Sequence, residues 1–246
     1  MRVLILAAGY GTRLYPLIKD TAKPLLQIAS RPLIDYLLEK IRPLPALREV
    51  VVVTNEKFYA DFQDWATLHK DFPVPITVMN DGTTSPEDRL GAVGDTLFVL
   101  KHLRGQDDLF VLGGDNLFDY ALEEFIRFAH GKAPHASIGL YDIGDIKEAS
   151  KFGVVQMDAQ NRIQVFEEKP PHPRSTLIAM CSYFFPVQSQ ALISDYVAEL
   201  NKTDKAGDYI HWLTETDTVF GFKFQGKWYD IGSIETYQKA QERFNV

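Results

Sequence analysis

Side chains able to do chemistry gather just after the apolar runs of this sequence. The first group follows Val3–Ala7 and reads Ala7-Ala8-Gly9-Tyr10-Gly11-Thr12-Arg13-Leu14, continuing to Lys23-Pro24-Leu25. Closely spaced glycines let backbone N–H groups approach a polyphosphate. Arg13 and Lys23 bracket Pro16 and offer its oxygens a planar fork and a mobile point charge. A tight turn flanked by solvated cations is the plainer reading of the same residues. Two familiar nucleotide motifs do not fit. A P-loop needs four residues between its glycines and then Gly-Lys-Ser/Thr, and a dinucleotide fingerprint needs a third glycine where Leu14 stands.

Carboxylates form the second group. Asp115, in Gly113-Gly114-Asp115-Asn116, follows an apolar run and two glycines, a position from which an acid can reach a hard cation such as Mg²⁺. Asp230, in Trp228-Tyr229-Asp230-Ile231-Gly232-Ser233, also closes an apolar run. Both acids equally suit turns or helix caps. Together they fit a Mg²⁺ that bridges ligand phosphates. Glu167-Glu168-Lys169-Pro170 reads on composition as a charged strand edge stopped by Pro170. The six histidines show no HExxH or other ligand spacing and are ordinary surface or core residues.

The elements that must position these groups are legible from periodicity. Val3–Ala7, Val50–Val53, Ile76–Met79 and Leu109–Leu112 are short apolar or β-branched runs suited to buried strands. Between them, Leu33, Ile34, Leu37, Leu38 and Ile41 recur at helical spacing, Phe58, Phe62, Trp65 and Leu68 mark another helix, and 92–103 a third. Alternating strand and helix predicts an α/β fold, with a mostly parallel, Rossmann-like sheet covered by helices on both faces. Residues 122–129 read as a further helix and 137–141 as a strand. Apolar runs at 154–155, 163–166, 177–185 and 219–224 then follow, many too close for a crossover helix, so a smaller antiparallel portion is expected there. Residues 234–244 read as a closing helix. No repeat, low-complexity tract or Pro/Gly/Ser linker interrupts the chain, which predicts one domain over 1–246 with two unequal halves that divide near residue 115.

With these segments in order, the chain resembles the sugar-1-phosphate nucleotidyltransferases (nucleotide-sugar pyrophosphorylases). Leu6 to Pro16, followed by Lys23-Pro24-Leu25, is similar to that family's opening signature. The resemblance implies that Leu6, Ala7, Ala8, Gly9, Gly11 and Thr12 hold a nucleoside triphosphate and that Arg13 and Lys23 meet its phosphates. It puts base recognition on the segment holding Asn80 and Gly91, and the Mg²⁺ ligands at Asp115 and Asp230. The sugar 1-phosphate would take Gly153, Glu168 and Lys169, with Tyr183 either walling the sugar or simply a core residue. The chain departs from the family at Ile18 and Ser233, where Thr is common, and has no placeable counterpart of the Gln that many thymidylyltransferases use for the base. The implied reaction transfers a nucleotidyl group, from dTTP or UTP in the first instance, to glucose 1-phosphate, in a fold of the nucleotide-diphospho-sugar transferase type. Guanylyl transfer to mannose 1-phosphate and uridylyl transfer to a hexosamine 1-phosphate are the alternatives, with a non-catalytic nucleotide-sugar-binding module as the rival of another class. Little chain follows Asp230, so the β-helix domain and acetyltransferase activity of longer members are not expected.

Composition sets the outer bounds. Acidic side chains number 33 against 26 Lys and Arg, a net charge of −7 that speaks against nucleic acid as the main partner. The single cysteine, Cys181, excludes an internal disulfide framework and any multi-cysteine zinc site. The apolar N-terminal run is too short for a signal peptide and no stretch is long enough to span a membrane. A cytoplasmic, membrane-free protein is expected, with assembly into a homo-oligomer left open. A metal-dependent glycosyltransferase would normally carry Asp-x-Asp, and Asp115-Asn116-Leu117 lacks the second acid.

Overall fold

Val3, Leu4 and Ile5 are apolar because the strand they form is covered on both faces: all three are fully buried, Val3 and Ile5 in one core cluster and Leu4 in the other. The structure, a computed structural model, describes residues 1–12, 20–103 and 106–244. In chain order it holds β1 (Arg2–Leu6), a 3-10 turn (Lys23–Leu25), β2 (Gln27–Ile28), β3 (Arg31–Pro32), α1 (Leu33–Ile41), β4 (Glu49–Thr54), α2 (Tyr59–Thr67) and β5 (Ile76–Asn80). Next come α3 (Gly91–Leu103), β6 (Leu109–Gly113), β7 (Asn116–Phe118), α4 (Glu123–His130), β8 (Ser137–Asp142), α5 (Ile146–Ala149), β9 (Gly153–Met157) and β10 (Ile163–Glu168). The chain continues with β11 (Leu177–Phe185), α6 (Ala191–Leu200), α7 (Ala206–Thr216), β12 (Phe220–Lys223), β13 (Trp228–Asp230) and α8 (Ile234–Phe244).

One nine-stranded sheet runs through both halves of the chain. Strands β6, β1, β4 and β5 are parallel neighbours. On the other side of β6, β11 runs antiparallel, with Ser182 opposite Leu112 and Phe185 opposite Leu109. One edge of β11 is lined by β8 for most of its length, while the other is shared end to end, β6 pairing Ser182–Phe185 and β9 pairing Ile178 and Ala179. The interval between β6 and β9 falls opposite Met180 and Cys181, where the β11–β8 register shifts. Bulges of this kind re-aim side chains, and crevices of α/β sheets open where neighbouring strands part company. The chain leaves the sheet at that interval through Gly113-Gly114-Asp115, re-enters it as β8, and comes back beside the interval at Gly153, which pairs with Ala179. Gly113 is required there: a Cβ would stand 2.5 Å from Asn116 Nδ2 and 2.9 Å from Cys181 Cβ.

The expected parallel group and the antiparallel portion are both present. Helices α6 and α7 went unread, and they change one expectation: β12, reached through them, pairs parallel with β8 instead of antiparallel. The small ribbons β2–β3 and β7–β13 also escaped the periodicity, being two or three residues long.

Helix α3 carries a buried acid. Asp95 is 5 % exposed, and burial together with the neighbouring Asp81 carboxylate pushes its carboxyl up to about 8. Asp95 Oδ1 and Asp81 Oδ2 find no donor elsewhere, so a proton held by Asp95 and shared with Asp81 supplies it. The folded chain therefore binds a proton that the unfolded chain releases near pH 4. Stability from this pair is fully present below that pH and falls as pH rises towards about 8, at up to ~1.4 kcal/mol per pH unit. Denaturant melts of wild type and Asp95→Asn between pH 5 and 8 check this: the wild-type decline should flatten in the variant.

Candidate active site

The loop after β1 is fixed by its neighbours before any ligand is considered. Gly114 N–H donates to Leu6 O (2.9 Å), Ala7 N–H to Val53 O (2.9 Å), and Asn55 Nδ2 to Ala8 O (2.8 Å). Leu6, Ala7, Gly9, Gly11 and Thr12 line a cleft of about 510 Å³. Lys23 and Pro24, then Pro86, Arg89 and Ala92, and finally Asp115 and Cys181 complete its lining. Ala8 is buried and absent from that lining, its carbonyl being held by Asn55. Arg13 lies outside the described residues.

Lys23 is the first cation of this lining. Its Nζ donates to Asp115 Oδ2 at 3.1 Å, the lysine side chain being 12 % exposed. Asp115 also takes Asn116 Nδ2 on Oδ1 at 3.3 Å, and its carbonyl accepts Ile231 N–H at 2.9 Å. That last bond belongs to the β7–β13 ribbon, whose register sets Asp230 opposite Asn116, the residue next to Asp115. Two aspartates 115 positions apart in the chain thus stand on adjoining strand positions. Trp228 Nε1 locks the ribbon by donating to Asn116 Oδ1 at 2.6 Å.

A second pocket, of about 190 Å³, opens on the other side of Asp115 and Cys181. Gly153, Glu168, Lys169, Tyr183 and Asp230 all line it, with Phe152 and Trp228 supplying aromatic wall. Gly153 is small because Phe166 lies 2.5 Å from where a Cβ would stand. Burial pushes the Glu168 carboxyl up, opposed by Lys169, whose Nζ is 3.6 Å from Oε1. Tyr183 is both readings at once, 7 % exposed and a pocket wall, and burial raises its hydroxyl well above the usual tyrosine range. Cys181 lines both spaces; burial, then Asp115 and Asp230, hold its thiol protonated.

Two of the sequence-derived residues stand apart. Asn80 is absent from both linings, its amide donating to Glu56 while its Oδ1 accepts Gly82 N–H. Gly91 has φ +78°, and a Cβ there would lie 2.3 Å from Asp204 Cα, so its immediate neighbour is the 203–204 backbone. It is Ala92, the next residue, that lines the larger cleft. Cys181, Asn116, Trp228 and Arg89 were not singled out from sequence. Each had a signal only as a member of a segment, those of Asp115, Asp230, Gly91 and Tyr183.

Among the described residues no group of three or more His, Cys, Asp or Glu side chains converges. Asp115 and Asp230 both line the smaller pocket and give it two carboxylates. That donor set suits a hard ion that fills its remaining positions with water and ligand phosphates, as Mg²⁺ does.

The Gly-rich loop and Lys23 line one pocket, Glu168, Lys169 and Asp230 line the other, and Asp115 and Cys181 line both. The chain belongs to the nucleotidyl transferase family, whose sequence profile matches residues 2–245. It is 28% identical over 232 residues to the bifunctional protein GlmU of Methanocaldococcus jannaschii and 30% identical over 251 residues to glucose-1-phosphate adenylyltransferase of Thermosipho africanus. These alignments take in 94% and 96% of this chain but 51% and 60% of the two relatives, so the chain spans little more than half their length. In fold it is similar to a Bacillus anthracis protein described as a glucose-1-phosphate thymidylyltransferase, with a TM-score of 0.85 and 24% identity over 100% of this chain and 95% of that one. It is likewise similar to a UDP-glucose pyrophosphorylase crystallised with UDP-glucose, with a TM-score of 0.82 and 20% identity over 99% and 97% of the two chains. No helix among the described residues is long and apolar enough to cross a membrane.

Proposed function

We propose that this chain is a cytoplasmic sugar-1-phosphate nucleotidyltransferase, a single domain whose two halves bind a nucleoside triphosphate and a sugar 1-phosphate. The observation that carries the reading is the meeting of the two pockets at Asp115, with Lys23 on the nucleotide side and Glu168 and Lys169 on the acceptor side. In the reaction, an acceptor phosphate oxygen forms a bond to the α-phosphorus. The bond from that phosphorus to the oxygen bridging to the β-phosphate breaks, and pyrophosphate leaves with the electron pair. The nucleophile is already ionised at neutral pH, so no proton need move and no general base is required.

What the chain must supply is alignment of two mutually repelling anions and neutralisation of their charge. Backbone N–H groups around Gly9 and Gly11, with Lys23 and Arg13, do this for the triphosphate. Lys169 holds the acceptor phosphate and Glu168 accepts from sugar hydroxyls. Asp115 and Asp230 would hold Mg²⁺, which when bound supplies positive charge at the phosphate oxygens.

Glucose 1-phosphate with dTTP or UTP is the proposed pair, and the adenylyltransferase relative makes ATP a necessary comparison. A matrix of dTTP, UTP, ATP and GTP against glucose, mannose and N-acetylglucosamine 1-phosphates, scored by Mg²⁺-dependent pyrophosphate release, tests the reading. The expected result is release that requires both substrates and is fastest with dTTP or UTP and glucose 1-phosphate. Nucleotide-sugar binding without release in any pair would make the protein a binding module.

A further inference from the structure

The segment that joins α6 to α7 and opens α7 touches both halves of the site. On the nucleotide side, the carbonyl of Asp204 accepts Ala92 N–H at 2.9 Å, and that of Thr203 accepts Val93 N–H and Gly94 N–H at 3.0 and 3.1 Å. The first turn of α3 is thereby capped by another part of the chain. The Asp204 carboxylate also grips Arg89 through two bonds, Nε to Oδ1 at 2.9 Å and Nη2 to Oδ2 at 3.0 Å, while Nη1 donates to Pro86 O. Pro86, Arg89 and Ala92 all line the larger cleft.

Three residues beyond Asp204, in the first turn of α7, Gly207 lines the acceptor pocket. A Cβ on Gly207 would stand 1.9 Å from Glu168 Oε2, so the carboxylate lies directly on the Gly207 backbone. Lys205, between them, faces both Asp204 and Glu168. His211 Nδ1 pairs with Phe166 O at 2.8 Å and so ties α7 to β10, the strand that delivers Glu168.

We infer that residues 203–207 are a strut that sets the nucleotide wall against the acceptor pocket, making Arg89, Asp204 and Gly207 positioning residues for the transfer. Arg89 does not read the ligand, because its fork is occupied by Asp204 and Pro86. It holds Pro86 and Ala92 at a fixed distance from the turn that seats Glu168. The inference rests on the nucleotidyltransferase reading for the identity of the two ligands, while the contacts themselves do not.

The two ends of the strut can be separated by substitution. Gly207→Ala meets the tip of a flexible side chain instead of backbone, so it displaces Glu168 while the fold accommodates it. The Arg89–Asp204 pair is about half exposed on both sides and contributes little to stability. Binding of UTP and of glucose 1-phosphate (or of whichever pair the substrate matrix selects) is measured by calorimetry for wild type, Gly207→Ala, Asp204→Ala, Arg89→Ala and the double variant, each ligand alone and in the presence of the other. Melting midpoints are recorded in parallel.

Gly207→Ala is expected to weaken the sugar phosphate by about tenfold or more and to leave the triphosphate unchanged. Asp204→Ala and Arg89→Ala should each weaken triphosphate binding and reduce its effect on sugar-phosphate affinity, the double variant being no worse than either single. Midpoints should stay within about 2 °C of wild type. Unchanged affinities, or losses that only follow a fallen midpoint, overturn the strut while leaving the functional reading intact. A wild type that binds neither ligand of any pair overturns the functional reading, and the proposal with it.

Discussion

Lys23→Ala should cut turnover by about 10²–10³, a loss of ~2.7–4 kcal/mol of transition-state stabilisation, with the fold preserved. The lysine is held on a short 3-10 turn, and Pro24 beside it packs on Gly114, leaving its ammonium 3.1 Å from Asp115 in the lining of the larger cleft. An ammonium so placed is already oriented for the charge that gathers on the phosphates and needs no reorganisation when it arrives. Its removal also strips Asp115 of a partner in a partly buried setting, so the remaining carboxylate disfavours an incoming anion. Lys23→Arg should restore only part of the activity, because a planar fork does not fit where a compact point charge bonds one oxygen. Arg13→Ala, at the other cation of the loop, should fall in the same range. Steady-state pyrophosphate release checks both, and a Lys23→Ala rate close to wild type would remove this lysine from the mechanism.

The second large effect is expected at the acid pair. Asp115→Asn and Asp230→Asn should each lower turnover by more than about 10² and raise the Mg²⁺ concentration needed for half-maximal rate. Asparagine keeps the shape of both ribbon positions, so the Ile231 N–H to Asp115 O bond and the Trp228–Asn116 bond persist and the melting midpoint should hardly move. A Mg²⁺ titration at saturating substrates, run beside a thermal melt, separates the two consequences. An unaltered Mg²⁺ dependence in both variants would place the ion elsewhere.

Elements built on long periodic patterns were legible. The apolar spacing of Leu33 to Ile41 became α1 with all five residues buried, and Val50–Val53 became a buried stretch of β4. Both motifs that read as turn chemistry, around Asp115 and Asp230, fell at strand ends as expected. What could not be read was how they meet, since the β7–β13 ribbon is three residues on each strand and has no periodicity to detect. Helices α6 and α7 were missed because strand-like apolar runs flank them closely and α7 mixes Trp212 and Tyr209 with Thr and His on its faces. Gly207 carried no local sign of its purpose. Its neighbour across space, Glu168, is 39 residues earlier, and only the fold brings a bare helix turn beneath that carboxylate. The Gly91 segment shows the converse. The glycine was expected, but the backbone pressed against it belongs to Asp204.

The pairing of β7 with β13 has a bearing on how such a protein comes into being. Synthesis proceeds from the glycine loop onward, and a nascent chain that has just passed Asp115 still lacks Cys181 and the Thr203 and Asp204 carbonyls that complete and cap the larger cleft. Its opposite acid arrives on the ribosome more than a hundred residues later, after β8 to β12 have been made. Until then Asp115 and Asp230, the proposed Mg²⁺ ligands, cannot be brought together. If the proposed transfer needs both acids, half-made molecules are kept from consuming triphosphate by the order in which the polypeptide is written.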